Sequence, residues 1–124
     1  MIEKDLQDKL QGTSAVTALV SSRVYVARAP QSESRDCIVL SMIDYKRDHL
    51  ANVPTETVQI SCYSTTYTGA KSIALAVVNA LQRFHGTMGG TQIVSLSFDQ
   101  ITKRYNDTTG EHAADVLMTA RYRP

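Results

Sequence analysis

The residues able to do chemistry are spread thinly along this chain. Its three histidines, His49, His85 and His112, fall at or beside stretches rich in turn-forming residues. None has a second histidine four positions on, or a Cys-x-x-Cys nearby, the spacings that gather metal ligands on one helical face or around one knuckle. Each reads as a solvated loop histidine. No serine sits in a Gly-x-Ser-x-Gly elbow, the strained strand-to-helix turn that presents a nucleophile for acyl transfer. Cys37 and Cys62 lie in apolar, strand-like stretches. They read as buried, unreactive thiols rather than as a disulfide or as metal ligands. Asp99, Asp107, Glu111 and Asp115 gather toward the C-terminal end. Two facing carboxylates can do acid–base work, but a charged hairpin rim is the commoner arrangement. His85-Gly86 and Gly89-Gly90 punctuate a turn that lacks the following Gly-Lys-Ser/Thr of a phosphate loop. The pattern points to no enzyme, no metal and no cofactor.

Two short clusters mix basic and aromatic side chains: Tyr45-Lys46-Arg47, with His49 just beyond, and Lys103-Arg104-Tyr105. Nucleic-acid binders use such mixtures, but Asp44, Asp48, Asp107 and Glu111 lie among them and cancel the local field. The whole chain carries 13 basic and 12 acidic residues, a net charge of +1, and a broad nucleic-acid surface usually needs a clear basic excess. Arg and Tyr are enriched at protein interfaces. The seven residues Tyr45, Lys46, Arg47, His49, Lys103, Arg104 and Tyr105 are therefore read first as protein–protein contacts. A small nucleic-acid-binding α+β module is the alternative.

These residues need elements to hold them. The strongest local signal is Thr57–Phe84. Val58, Ile60 and Cys62 alternate with Gln59, Ser61 and Tyr63, the period of a strand. After the polar break at Ser64–Thr68 the period becomes helical. Ile73, Val77, Leu81 and Phe84 form one stripe, with Ala74, Val78 and Leu75 beside it. Upstream, Ile2, Leu6 and Leu10 share a helical face up to Gly12. Thr13 or Ser14 caps a second short piece that turns Val16, Leu19 and Val20 inward. Arg23–Ala27 alternates as a strand and stops at Ala29-Pro30. Gln31–Asp36 reads as a loop, Cys37–Tyr45 as a central strand, and Lys46–Glu56 as a long charged connection. Cys37–Tyr63 thus forms an antiparallel pair. Gln92–Thr102 is a strand with Val94, Leu96 and Phe98 toward the core, Lys103–His112 a polar connection, and Ala113–Tyr122 the last strand. Lying in connections, Arg47 and Arg104 would tolerate charge reversal without loss of the fold.

The fold class is α+β. A mostly antiparallel sheet of about four to five strands carries a main helix on one face, with a short N-terminal helical segment. At 124 residues, with ordinary apolar and charged fractions of 43% and 20%, a single domain with its own core is expected. No charged-then-apolar leader opens the sequence and no apolar run approaches the roughly 20 residues of a membrane helix. The expectation is a protein made and used in the cytosol, or in a particle assembled there.

The order and spacing of these elements resemble the small tail completion proteins of long-tailed bacteriophages, also called tail terminator or tail-to-head joining proteins. The resemblance runs from the helical segment ending in Ser22-Arg23-Val24-Tyr25, through the Pro30-Gln31 turn and the strand Cys37–Ser41. It is sharpest at Val58-Gln59-Ile60-Ser61-Cys62-Tyr63, Ser64, Tyr67, Ala70, Ile73-Ala74, Val77-Val78 and Ala80-Leu81. It continues in Tyr105-Asn106-Asp107 and His112-Ala113-Ala114-Asp115-Val116. The resemblance implies a structural virion protein at the head-proximal end of the tail, assembled in the host cytoplasm. It implies a homo-oligomer, a hexameric ring, that caps the tail tube protein, stops tube growth and meets the head–tail connector protein. DNA would pass through its lumen without tight binding, and no membrane is involved. A ring needs two different patches per subunit, here the connections Lys46–Glu56 and Lys103–His112 and exposed strand edges.

If the helical stripe is right, Leu81→Ala empties a buried site and costs roughly 2–5 kcal/mol. Chemical denaturation checks this, and a change near zero would mean that another face of the helix is buried.

Overall fold

The structure is a computed structural model that describes residues 2–29, 36–48, 53–82, 84–88 and 90–123. Two N-terminal helices, α1 (Glu3–Gln11) and α2 (Ser14–Val20), lead into a short strand β1 (Val24–Val26). Two long strands follow, β2 (Cys37–Asp48) and β3 (Val53–Ser64), then the main helix α3 (Tyr67–Leu81). A short β4 (Gly86–Met88) and the long β5 (Thr91–Asn106) and β6 (Glu111–Arg123) complete the chain. All six strands belong to one sheet in the order β1-β2-β3-β6-β5-β4. Only β1 runs parallel to its neighbour, so the sheet is mixed. It has six strands where about four to five were expected; the short edge strand β1 answers to the strand read at Arg23–Ala27, and the three-residue β4 was not read from the sequence.

The three helices cover one face of this sheet. Ile2, just before α1, and Leu6 and Leu10 on it are fully buried, and on α3 so are Ala74, Val77 and Leu81. They share one apolar cluster with Ile38, Leu40, Ile60, Val116 and Met118 of the central strands. The stripe read from the sequence is therefore the packed one. Leu75, expected beside it on α3, and Leu19, expected to face inward on α2, are exposed, because each lies outside the arc that the sheet can reach. Phe84 falls beyond the end of α3 and packs partly against the core. Among the described residues, the opposite face of the sheet carries no helix.

The expected long connections are largely strand. β2 and β3 stay paired out to Asp48 and Val53, and β5 and β6 out to Asn106 and Glu111. Polar residues read there as loop because the outer reach of a hairpin has one or both faces in water and needs no apolar alternation. The expected loop at 31–36 and the middle of the first connection, with His49 and Asn52, lie outside the described residues apart from Asp36.

Strand β5 also shifts the expected inward set. Its ladder with β6 slips at Val94 and again at Asp99. Each extra residue flips the side chains that follow to the other face. Ile93 and Leu96 are buried while Val94 is 42% exposed. Beyond the second slip, Ile101, Lys103 and Tyr105 fall on the helix-covered face. A bulge depends on what the partner strand opposes, which a single-strand alternation cannot register.

One charged residue sits inside the core. Glu56, expected at the end of a solvated connection, is fully buried on β3 beneath the start of α1. Its Oε1 accepts hydrogen bonds from the Tyr122 hydroxyl (3.0 Å) and the Ile2 N–H (3.4 Å). Its Oε2 has no partner. Burial first, and then the neighbouring Glu3 carboxyl, push Glu56 up to about 7. The native state therefore holds a proton here that the unfolded chain has released. A raised carboxyl contributes stability that is fully present below the ordinary value of 4.5 and is lost as pH rises through about 7. Between pH 5 and 8 the wild-type protein should lose roughly 1–3 kcal/mol from this group, and Glu56→Gln should flatten that slope. Melting temperatures across the range check it. Parallel profiles for the two proteins would contradict it.

Candidate functional site

The most chemically crowded part of the surface is the tip of the β5–β6 hairpin above the start of α3. The tip is tightly made. Asn106 Oδ1 accepts from the N–H groups of Thr108 and Thr109 (3.0 and 3.3 Å), and the Gly110 N–H donates to the Asn106 carbonyl at 2.8 Å. Gly110 has φ +70°, the left-handed turn that glycine adopts at little cost. Below it, α3 begins at a hydroxyl cap, with Thr66 Oγ1 accepting from the Gly69 N–H at 3.0 Å. Ser64 Oγ accepts from the Thr66 N–H at 3.3 Å and meets Asp36 Oδ2 at 3.2 Å. A Cβ on Gly69 would lie 2.3 Å from Ser64 Oγ, so this approach of strand end to helix start needs glycine.

On this frame the strand period separates neighbours. Lys103 and Tyr105 point to the helix side, and Arg104 points to the bare side. Lys103 Nζ stands 3.8 Å from the centroid of the Tyr67 ring and donates to the Tyr67 carbonyl at 3.3 Å, a cation held on an aromatic face. The His112 ring lies edge-on to Tyr67 at 6.2 Å and tilted against Tyr105 at 4.6 Å. Tyr67 and Tyr105 remain 54% and 56% exposed. On the bare side, the Arg104 guanidinium forks onto the Asp115 carboxylate through Nε and Nη2, the latter at 2.9 Å, and reaches the Tyr63 hydroxyl at 3.4 Å. The bond to Asp115, then that to Tyr63, raises the Arg104 pKa further, so it is charged at every working pH. Asp115 is buried, so the pair is partly desolvated. An open groove of about 880 Å³ runs beside it, with Arg28, Cys37, Val39, Tyr63 and Ala113 among its lining residues.

The seven expected contact residues are thus divided. Lys103, Arg104 and Tyr105 sit at one end of the sheet but on two faces. Tyr45, Lys46 and Arg47 are not in a loop. They belong to β2 and pair with Glu56, Thr55 and Pro54. Tyr45 packs partly against the core, and Lys46 faces Asp44 at 3.6 Å in a solvated pair. The row of Lys46 and Thr55 lies eight β3 residues from Tyr63, which shares a row with Arg104 through Ala113. At about 3.3 Å per residue the two clusters are on the order of 25 Å apart. His49 lies outside the described residues. Tyr67, His112, Tyr63 and Asp115 were not among the expected contacts, and His112 is not a solvated loop residue. Its pairing with Tyr105 becomes legible only once Asn106–Gly110 is recognised as the turn that sets the register.

Among the described residues, no three or more His, Cys, Asp or Glu side chains gather to hold a metal ion. No helix there is long and apolar enough to cross a membrane. Cys37 and Cys62 are both buried on opposite faces of the sheet. Burial, then the nearby Asp115 charge, drives the Cys62 thiol far above its usual range, which keeps it un-ionised and unreactive. Asp99 accepts from the Thr119 hydroxyl at 2.6 Å, and Asp115 is committed to Arg104.

This one-sided helix-on-sheet fold is shared with a chain of the "Virion of native gene transfer agent (GTA) particle". The TM-score is 0.81 at 20% identity, covering 99% of this chain and 95% of that one. At that identity the likeness is one of fold. No curated protein matches the chain. Residues 4–123 match the family described as Tail completion protein gp17. The chain belongs to that family, which is one of phage tail components.

The Arg104–Asp115 pair gives Arg104 an acidic partner that a reversed charge would repel. Arg104→Ala strands a buried carboxylate and should cost roughly 1–3 kcal/mol. Asp115→Asn should cost less, because the half-exposed guanidinium regains water. Equal costs in denaturation midpoints would show that Asp115 does not depend on its partner.

Proposed function

We propose that this chain caps the head-proximal end of a phage-type tail tube as a hexameric ring, stops tube growth and joins the tail to the head connector. The observation that carries this reading is the family match across residues 4–123, supported by a fold also found in a phage-like virion particle. The geometry is consistent with a structural part. Two exposed tyrosines, Tyr67 at the start of α3 and Tyr105 on the β5–β6 hairpin, pack against Lys103 and His112, the kind of pre-ordered aromatic anchor that protein interfaces favour. The bare face of the sheet mixes Thr57, Gln59 and Thr119 with the opposed charges of Asp44 and Lys46 and of Arg104 and Asp115. In a ring, such a charge-balanced wall would let DNA pass without holding it. The nucleic-acid-binding alternative draws little from the described basic residues. Lys46 and Arg104 both have acidic partners, and the two clusters lie at opposite ends of the sheet.

Light scattering of the purified chain, alone and with tail tube protein, tests this. A ring of six on tube ends is the expected result, and tubes assembled with it should stop lengthening. Tyr67→Ala with Tyr105→Ala should leave the monomer folded and weaken joining to tube or connector. A chain that stays monomeric and never caps tubes would overturn the reading.

A further inference from the structure

The two short edge strands leave most of the sheet's margins open. Among the described residues, β1 covers β2 only at Ile38–Leu40, and β4 covers β5 only at Thr91–Ile93. Among the described residues, Ser41–Asp48 of β2 and Val94–Asn106 of β5 therefore have no strand partner along one side. Such open margins invite another strand.

Three features of these margins fit one another. First, they share rows of the sheet. Ser41 is in register with Gln59, Leu117 and Gln100, and Lys46 with Thr55, Arg121 and Ser95. Second, β2 and β5 run in opposite directions, because three antiparallel steps separate them. A copy placed beside the first in the same orientation would set β2 against β5 as an antiparallel pair, the commoner kind in sheets. The caps β1 and β4 lie at opposite ends of the sheet, beyond these shared rows. Third, the side chains match as knob and hole. Met42 shares the row of Val58, Met118 and Phe98 on the helix side, yet it is 41% exposed. Beside the open margin of β5 lies a groove of about 350 Å³, lined by Phe84, Val94, Leu96 and Phe98 among others. Met42 of one copy falls level with that groove on the next. The bulges at Ile43 and Asp99 limit the ladder to a short, defined length, which disfavours indiscriminate stacking.

We propose that copies of this chain join head to tail through these margins, the β2 edge of one against the β5 edge of the next, with Met42 seated in the Phe84–Phe98 groove. The contact is heterologous, as ring closure requires, and makes the sheet continuous across the subunit boundary. This rests on the ring reading above and specifies where its subunits meet.

The test uses the full chain assembled on tail tubes. Asp44 and Ser97 share a row but are separated within one subunit by β3 and β6. The double variant Asp44→Cys with Ser97→Cys should form, on mild oxidation, a covalent ladder extending beyond dimers, while each single variant stays monomeric. Amides of residues 41–48 and 94–100 should gain protection from hydrogen exchange on assembly. Met42→Lys should weaken assembly by on the order of ten-fold with an unchanged melting temperature. Wild-type rings that gain no protection at these amides, together with double-variant rings that give no ladder, would overturn this contact and leave the ring reading standing. A ladder that stops at dimers would overturn it as well. A wild-type chain that never forms rings would remove both.

Discussion

The pairing of β3 with β6, sealed on one face by α3, is the constraint on which the rest of the molecule depends. These two strands occupy the middle of the sheet and stay in unbroken register from Thr55–Arg121 to Ser64–His112. One face of the pair supplies Val58, Ile60, Cys62, Ala114, Val116 and Met118 to the core, all nearly or wholly inaccessible to water. The helix closes over them with small residues, Ala70 and Ala74, and the branched Ile73 and Val77. That choice lets it lie close to the sheet. Every other element is placed relative to this pair, β2 and β1 on one side, β5 and β4 on the other.

A sheet covered on one face only has consequences for function. The uncovered face cannot be apolar in water, and its Ser, Thr and Gln residues reflect that. The margins cannot both be long and flat without risk of uncontrolled pairing, and bulges in β2 and β5 limit that risk. The long hairpins extend past the helices, so their outer parts depend on side-chain contacts with the few groups within reach. At the β5–β6 tip these are Lys103 on the Tyr67 ring and Arg104 on Asp115, two neighbours serving opposite faces. At the other end of the sheet the cost of covering a hairpin base appears in Glu56, a carboxyl buried under the start of α1 and kept neutral by its surroundings.

What could be read without the fold was whatever repeats along a single segment. The inward stripe of α3, the alternation of Val58-Ile60-Cys62 and of Val116-Met118-Ala120, the burial of Ile2, Leu6 and Leu10, and the inaccessible thiols all follow from local period and residue type. The α+β class and the antiparallel Cys37–Tyr63 pair follow from the order of those segments. Even the family resemblance rested on such spacing. The candidate contacts were less legible. Lys103-Arg104-Tyr105 was recognisable as a basic–aromatic cluster, yet its division between two faces was not, because that depends on whether the stretch is strand or loop.

Tertiary structure alone decided the remainder. Where β5 slips against β6, and so which of Ile93, Val94 and Leu96 is buried, is set by what the opposite strand presents. Polar residues became strand because a partner strand was there to satisfy their backbone groups. Tyr67, His112 and Tyr105 meet only through the register of one hairpin against the start of one helix. Glu56 is buried because α1, more than fifty residues away in the chain, lies on top of it. A sequence by itself determined here each element's period and its apolar side. Which neighbour that side meets, and what is left open at the margins, depends on contacts between segments that the local pattern does not contain.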